Sequence, residues 1–274
     1  MSASIIDSRL ATIFSDLATA IEGIVRRHAV THAEYRQAVA FLDELGRAGE
    51  IALFLDVFVE HRIIDANFAG RDGTSAVAQG PFYVEGAPFL QPPYELPHRP
   101  DEPGDVLILS GRVRAPDGSP LAGVMLDVWQ ADATGIYSNF FPGAPEYNLR
   151  GRFQTGTDGG YEVRTVVPAP YEIPKAGPTG RFVAAMGRHA FRPAHLHLKL
   201  SHGDYRPLTT QLYFAGDPWL DSDVADSVKD SLVVRLQRHQ DPADLDKRGV
   251  DRPYFSAQYD FVLAPVREPA AAGR

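Results

Sequence analysis

The sequence predicts a mainly β protein with helices at its front: a helical region over residues 1–79, a proline-rich connector over 80–104 and an antiparallel β-sandwich over 105–274. Three observations carry this division. Apolar residues recur at three- and four-residue spacing through the first segment, as in helices with one apolar face. Prolines crowd the second. The third breaks into short apolar runs separated by Gly, Pro and Asp, the punctuation of a β-sandwich.

The elements follow in order. Leu10, Ile13, Phe14, Leu17, Ile21, Ile24 and Val25 form one stripe, so a helix is expected from about Asp7 to Ala29. The stripe has two readings: it packs on its own domain, or on a second copy of the chain. Thr31 followed by Glu34 has the pattern of a capping box and opens a second helix through Tyr35, Val39, Leu42 and Leu45. Gly46 and Gly49 interrupt it, and a third helix is expected from about Glu50 to Asn67. Pro81, Pro88, Pro92, Pro93, Pro97, Pro100 and Pro103 then restrict φ and remove backbone donors, which makes the connector extended and irregular. Strands are expected in DVLILSGRVRA and GVMLDVWQAD around the turn PDGSPLA, in YEVRTVV after TDGG, and in AHLHLKLS, LTTQLYF and YFSAQYDFVLA. The segment SDVADSVKDSLVVRLQ reads as one late helix.

Composition removes several function classes. The chain has 274 residues, 44% of them hydrophobic, and a net charge of −8 with no lysine-rich block, so nucleic acid and anionic membranes are poor partners. No apolar run reaches the ~18–20 residues that span a bilayer, and MSASIIDSRLATIF lacks a signal-peptide pattern, so the expectation is a cytoplasmic, non-membrane chain. There are no cysteines. Thiolate zinc, iron–sulfur and blue-copper sites are therefore excluded, with cysteine nucleophiles and disulfides.

The stretch RPAHLHLKL is chemically out of place in a core strand. Side chains alternate along a strand, so His195 and His197 share one face and Leu196 and Leu198 the other. A lone histidine there reads as a satisfied core residue; a pair on one face, with Arg192 upstream, points to a metal. Nearby Asp204 and Asp217 lie in turn contexts, HGDY and AGDPW. Tyr137, after the strand ending VWQAD, and Tyr171, held between prolines in VVPAPYEIP, stand out instead. Phenolate with imidazole suits ferric iron, because a hard cation drives a phenol of pKa near ~10 to ionise.

GIYSNF, PEYNLRGRF, TVVPAPYEIP, GPTG, GRHAFRPAHLHLKL and TTQLYF occur in that order, with GPFYVEGAP and FLDELGRAGEIALFLDVFVEH upstream. Together they closely resemble the intradiol ring-cleavage dioxygenases of the catechol 1,2-dioxygenase type, over about Thr31 to Ala264. The resemblance implies one Fe(III) per chain held by Tyr137, Tyr171, His195 and His197. It implies that Arg192 faces charge developing on the ring, that Gln211 orients it, and that Tyr171 leaves the metal and takes a substrate proton from a proline-flanked loop. The implied reaction cleaves catechol with O2 to cis,cis-muconate. Motif by motif, the substrate pocket falls on Leu53, Asp56 and Val57 of the third helix and on Ala78, Gly80, Pro81 and Phe82. Ile173, Pro174 and Ala225, at the start of the late helix, complete it. A homodimer through the N-terminal helices, with a phospholipid or fatty acid at its interface, is implied too.

The PAPYEIP loop looks more like catechol than hydroxyquinol enzymes, so unsubstituted catechol is the first reading. The pattern Leu53-x-x-Asp56-Val57, with small Ala78 and Ala225, also suits chlorocatechols. A chlorine-sized difference in an apolar pocket is worth only about 1–3 kcal/mol, too little to separate these by inspection. Two rivals belong to other classes. A non-catalytic β-sandwich module would be colourless, and an Fe(II) enzyme with a two-His-one-carboxylate triad would need a carboxylate in a ligand-like setting.

Overall fold

The computed structural model describes residues 2–141 and 143–266; Met1 and residues 267–274, the outer ends of the expected helical and sandwich segments, lie outside the described residues. The chain forms two compact units, residues 1–51 and 52–274.

The first unit is helical: α1, Ser2–His28, and α2, His32–Ala48. Arg26, Arg27 and His28 fill the last turn of α1, where positive charge complements the exposed carbonyls. The expected capping box is present: Thr31 Oγ1 accepts from the Glu34 N–H at 3.3 Å, and Glu34 Oε2 accepts from the Thr31 N–H at 2.8 Å. α2 continues through Gly46 and ends at left-handed Gly49, so the expected interruption is corrected at Gly46 and occurs at Gly49. A lone glycine costs a helix only about 1 kcal/mol. The apolar stripe of α1 stays exposed in the single chain, with Leu10 at 67% and Phe14 at 70%.

From the last residue of the first unit the chain runs through α3, Ile51–Leu55, a π-helical turn, Asp56–Glu60, and α4, His61–Phe68. One helix was expected here; the π turn divides it. Short strands β1, Tyr94–Glu95, and β2, Val106–Arg114, are followed by β3, Met125–Gln130, β4, Arg150–Gln154, and β5, Gly160–Val166. Then come β6, Tyr171–Glu172, α5, Pro178–Ala185, β7, Phe191–Arg192, β8, His195–His202, and β9, Tyr205–Phe214. The chain finishes with β10, Val233–Val234, β11, Gln237–His239, α6, Pro242–Arg248, β12, Tyr254–Gln258, and β13, Phe261–Val262.

One sheet has the order β1-β5-β2-β12-β11 with β13 also on β2; the other has β10-β9-β8-β3-β4, and β6 pairs β7 alone. The expectation of a purely antiparallel fold is corrected. β1–β5, β2–β12, β2–β13 and β9–β10 are parallel, so both large sheets are mixed. Leu107, Leu109 and Val163 from the first sheet share one buried cluster with Leu126, Val128, Leu196, Leu198 and Leu212 from the second. Each such leucine stabilises the fold by about 1.5–3 kcal/mol.

The expected late helix is absent. Among the described residues from Asp217 to Gln240, helical geometry is limited to single 3₁₀ turns at Leu220–Ser222 and Asp230–Leu232. The cause is local: the Asp223 carboxylate accepts the backbone N–H groups of Ala225 and Ser227, each at 3.2 Å, and Asp226 takes φ +48°. A side chain that captures these donors competes with the helical ladder. Ala225 therefore sits in an ordered loop.

Candidate active site

The alternation of β8 does two things at once. Leu196 and Leu198 enter the shared core, and His195 and His197 are buried on the opposite face. Across the sheet, His197 pairs with Trp129 of β3 and Gln211 of β9, and His195 with Tyr213. The Trp129 ring stacks on His197 at 4.7 Å and 7°. His195 Nδ1 lies 2.7 Å from the Pro193 carbonyl, which requires the proton on Nδ1 and leaves the Nε2 lone pair available. That Nε2 is 3.0 Å from His197 Nε2 and 3.4 Å from Tyr137 Oη.

Tyr137 reaches this point from a loop built by Asp132, whose Oδ1 accepts from the N–H groups of Thr134 and Ile136 at 2.8 and 3.0 Å. Gly135 has φ +86°, and a Cβ there would lie 3.0 Å from the Tyr171 Cβ. The loop can approach Tyr171 only through glycine. Tyr171 lies in β6, in register with Arg192 of β7, so the phenol expected on a proline-flanked loop is carried by a short strand. The two phenol rings meet edge to face, with centroids 5.3 Å apart.

Electrostatics define what this cluster can hold. Burial, then the nearby Arg192 charge, lowers His195 to about 3; burial, His195 and Arg192 depress His197 well below its usual value. Both imidazoles are neutral and carry lone pairs. Burial pushes Tyr137 far above the ordinary phenol range, and it raises Tyr171 despite the opposing Arg192. Two nitrogens and two phenol oxygens thus converge in a buried site where only an added cation would let the phenols ionise. This donor set fits a hard, highly charged metal ion. Among the described residues no three His, Cys, Asp or Glu side chains gather at one point, so tyrosine is essential to any such site. The histidines differ: His197 Nδ1 is buried without a hydrogen-bond partner, so its ring is held by the Trp129 stack.

Arg192 is buried beside the cluster. It donates from Nε to Asp223 Oδ1 and from Nη2 to Asp223 Oδ2, both at 3.1 Å, and from Nη2 to Gln211 Oε1 at 3.0 Å. It also donates from Nη2 to Tyr213 Oη at 3.4 Å. Gln211 is oriented in turn by Nε2 donating to the Ala78 carbonyl and by Tyr213 Oη donating to Oε1, each at 2.8 Å.

Leu53, Asp56, Val57, Ala78, Gly80, Pro81, Phe82, Ile173, Pro174 and Ala225 line one small pocket, with Tyr171 and Arg192 in its wall. Glu60 and Ser227 line it as well, and neither was expected. Glu60 lies four residues after Asp56, and the π turn carries both; burial raises both carboxyls, and Asp56 raises Glu60 further. Phe82 stacks on Tyr137 at 4.6 Å and 20°. Buried Arg150 holds that arrangement, donating to the Phe82 carbonyl at 2.7 Å and to Ser138 Oγ at 2.8 Å.

A family model described as Dioxygenase matches residues 78–265, and one described as Catechol dioxygenase N terminus matches residues 7–74. A chlorocatechol 1,2-dioxygenase from Rhodococcus opacus is 43% identical over 235 residues, 85% of this chain and 91% of that protein. A catechol 1,2-dioxygenase from Acinetobacter baylyi is 35% identical over 260 residues, 92% of this chain and 82% of that one. Among solved structures, the 3-chlorocatechol 1,2-dioxygenase of Rhodococcus opacus 1CP superposes with a TM-score of 0.87 at 42% identity, over 95% of this chain and all of that chain.

Proposed function

Because the chain belongs to the intradiol dioxygenase family, we propose that it cleaves chlorocatechols with O2 between the two hydroxyl-bearing carbons, using one ferric ion held by Tyr137, Tyr171, His195 and His197. The observation that carries the substrate class is the 43% identity to a chlorocatechol 1,2-dioxygenase. It moves chlorinated rings ahead of the unsubstituted catechol that the PAPYEIP loop favoured, and the small side chains of Ala78 and Ala225 in the pocket wall support it.

Ferric iron, when bound, supplies a Lewis acid that takes a deprotonated diol and makes its ring reactive toward O2. The chain does the rest. His195 and His197 offer neutral Nε2 lone pairs, and the two tyrosines bring the negative charge. Tyr171 Oη would take a substrate proton, with the Arg192 charge beside it. Val57, Pro81, Ile173 and Pro174 give the ring apolar walls that exclude water. Arg192 then stabilises charge that appears only as the ring loses aromaticity, a contribution of a few kcal/mol. Gln211 keeps the guanidinium aimed at the ring. We also read the two large sheets as the leaves of a sandwich, and the exposed α1 stripe as a face that pairs with a second copy and shelters an acyl chain.

Steady-state rates on catechol, 3- and 4-chlorocatechol, 4-methylcatechol and hydroxyquinol test the reading. The expected result is a higher kcat/KM on a chlorocatechol and a colourless muconate product. A kcat/KM highest on catechol would return the substrate to the unsubstituted ring. A yellow semialdehyde would rule out intradiol cleavage.

A further inference from the structure

We propose that Asp223 is a positioning residue for ring cleavage: it fixes the Arg192 guanidinium in the pocket wall and ties it to the backbone that carries Ala225 and Ser227. The proposal rests on the role given to Arg192 above. Four donors converge on one carboxylate that is 3% exposed. Arg192 Nε and the Ala225 N–H meet Oδ1 at 3.1 and 3.2 Å, and Arg192 Nη2 and the Ser227 N–H meet Oδ2 at 3.1 and 3.2 Å. Ala225 and Ser227 both line the pocket, as does Arg192. One side chain therefore sets the plane of the guanidinium and the position of the adjoining backbone together. The segment is pinned from behind by Arg188, whose Nη2 donates to the Asp223 carbonyl at 3.1 Å and to Asp226 Oδ1 at 2.9 Å.

The demand for a carboxylate is chemical. Each of these partners of the side chain is a donor, so only a group with two acceptor oxygens satisfies them. Asparagine has almost the same shape but would turn an NH2 toward two of the four donors, leaving buried groups unpaired. Its guanidinium would drift from the orientation that Gln211 also holds. Misplacement of a group that acts in the transition state lowers kcat and leaves ground-state binding of the diol largely intact.

The experiment is a double-mutant cycle in the iron-loaded protein. Asp223→Asn should lower kcat by about 10- to 100-fold with KM changed less than about 3-fold, and iron content and the visible band should stay as in the native protein. Asp223→Glu, which keeps the carboxylate, should recover part of the rate. In an Arg192→Ala background, Asp223→Asn should cost nothing further. An equal loss in both backgrounds, or an unchanged kcat, would overturn the proposal. If the native chain turns over neither a chlorocatechol nor catechol, the function proposed above is lost and a crystal structure of the Asp223→Asn protein decides the positioning role. A guanidinium displaced from Gln211 supports the role; an unmoved one refutes it.

Discussion

At the scale of single residues, the site separates two tyrosines that look alike in sequence. Tyr137 is wholly buried under Phe82, on a loop fixed by Asp132 and Arg150, whereas Tyr171 sits in the pocket wall beside the Arg192 charge. Tyr137→Phe should abolish activity and lose iron. Tyr171→Phe should keep more iron, lose the shorter-wavelength part of the visible band and turn over slowly; equal metal loss, measured by elemental analysis, would contradict the distinct roles. The histidines predict a pH response. His195 is lowered to about 3, so the native metal-free chain binds fewer protons than the unfolded one below about 6.5. Stability should then fall as pH drops from about 6.5 toward 3, by up to ~1.4 kcal/mol per unit for each such histidine, and urea midpoints across that range would measure it. A flat profile would mean that the imidazoles are not held neutral.

At the scale of elements, two changes probe how the units are built. Thr31→Ala removes the capping box of α2 and should cost about 1 kcal/mol in thermal or denaturant unfolding. Gly111→Ala should cost more, about 2–3 kcal/mol or beyond, because a Cβ there would sit 1.8 Å from the Tyr259 carbonyl that crosses β2. Near-native unfolding of that variant would show that the crossing can slide apart. These elements differ in how legible they were. The HLHLKL alternation of β8 and the Thr31–Glu34 pair are local patterns, and local patterns survive into the fold. Val224, Val228 and Leu232 recur at helical spacing too, yet the Asp223 carboxylate takes the N–H groups a helix would need. β4 was unreadable because it buries Arg150, whose acceptors come from Phe82 and Ser138. Motif order gave the two tyrosines, the two histidines and the lining residues that the fold brings together, while Asp223, Glu60 and Trp129 act through tertiary partners that no short stretch displays.

At the scale of the whole molecule, the exposed apolar stripe of α1 bears on assembly. Leu10, Leu17, Ile21 and Ile24 are each about half exposed or more, and such a stripe in water favours self-association. Sedimentation at micromolar concentration should give about twice the 30.0 kDa chain mass, and Leu17→Asp with Ile21→Asp should return it to the monomer. A monomeric native protein would refute the pairing. Among the described residues no helix is long and apolar enough to cross a membrane. The sheet order carries a different consequence, in time. β2 is flanked by β5 on one side and by β12 and β13 on the other. A ribosome delivers β2 early and β12 about 140 residues later, which at ~5–20 residues per second leaves one rim of β2 unzipped for roughly 7–28 s. Throughout that interval the nascent chain offers bare peptide groups to any neighbour able to pair with them, so its yield in a crowded cell depends on what shields that rim until Phe255 arrives opposite Leu107.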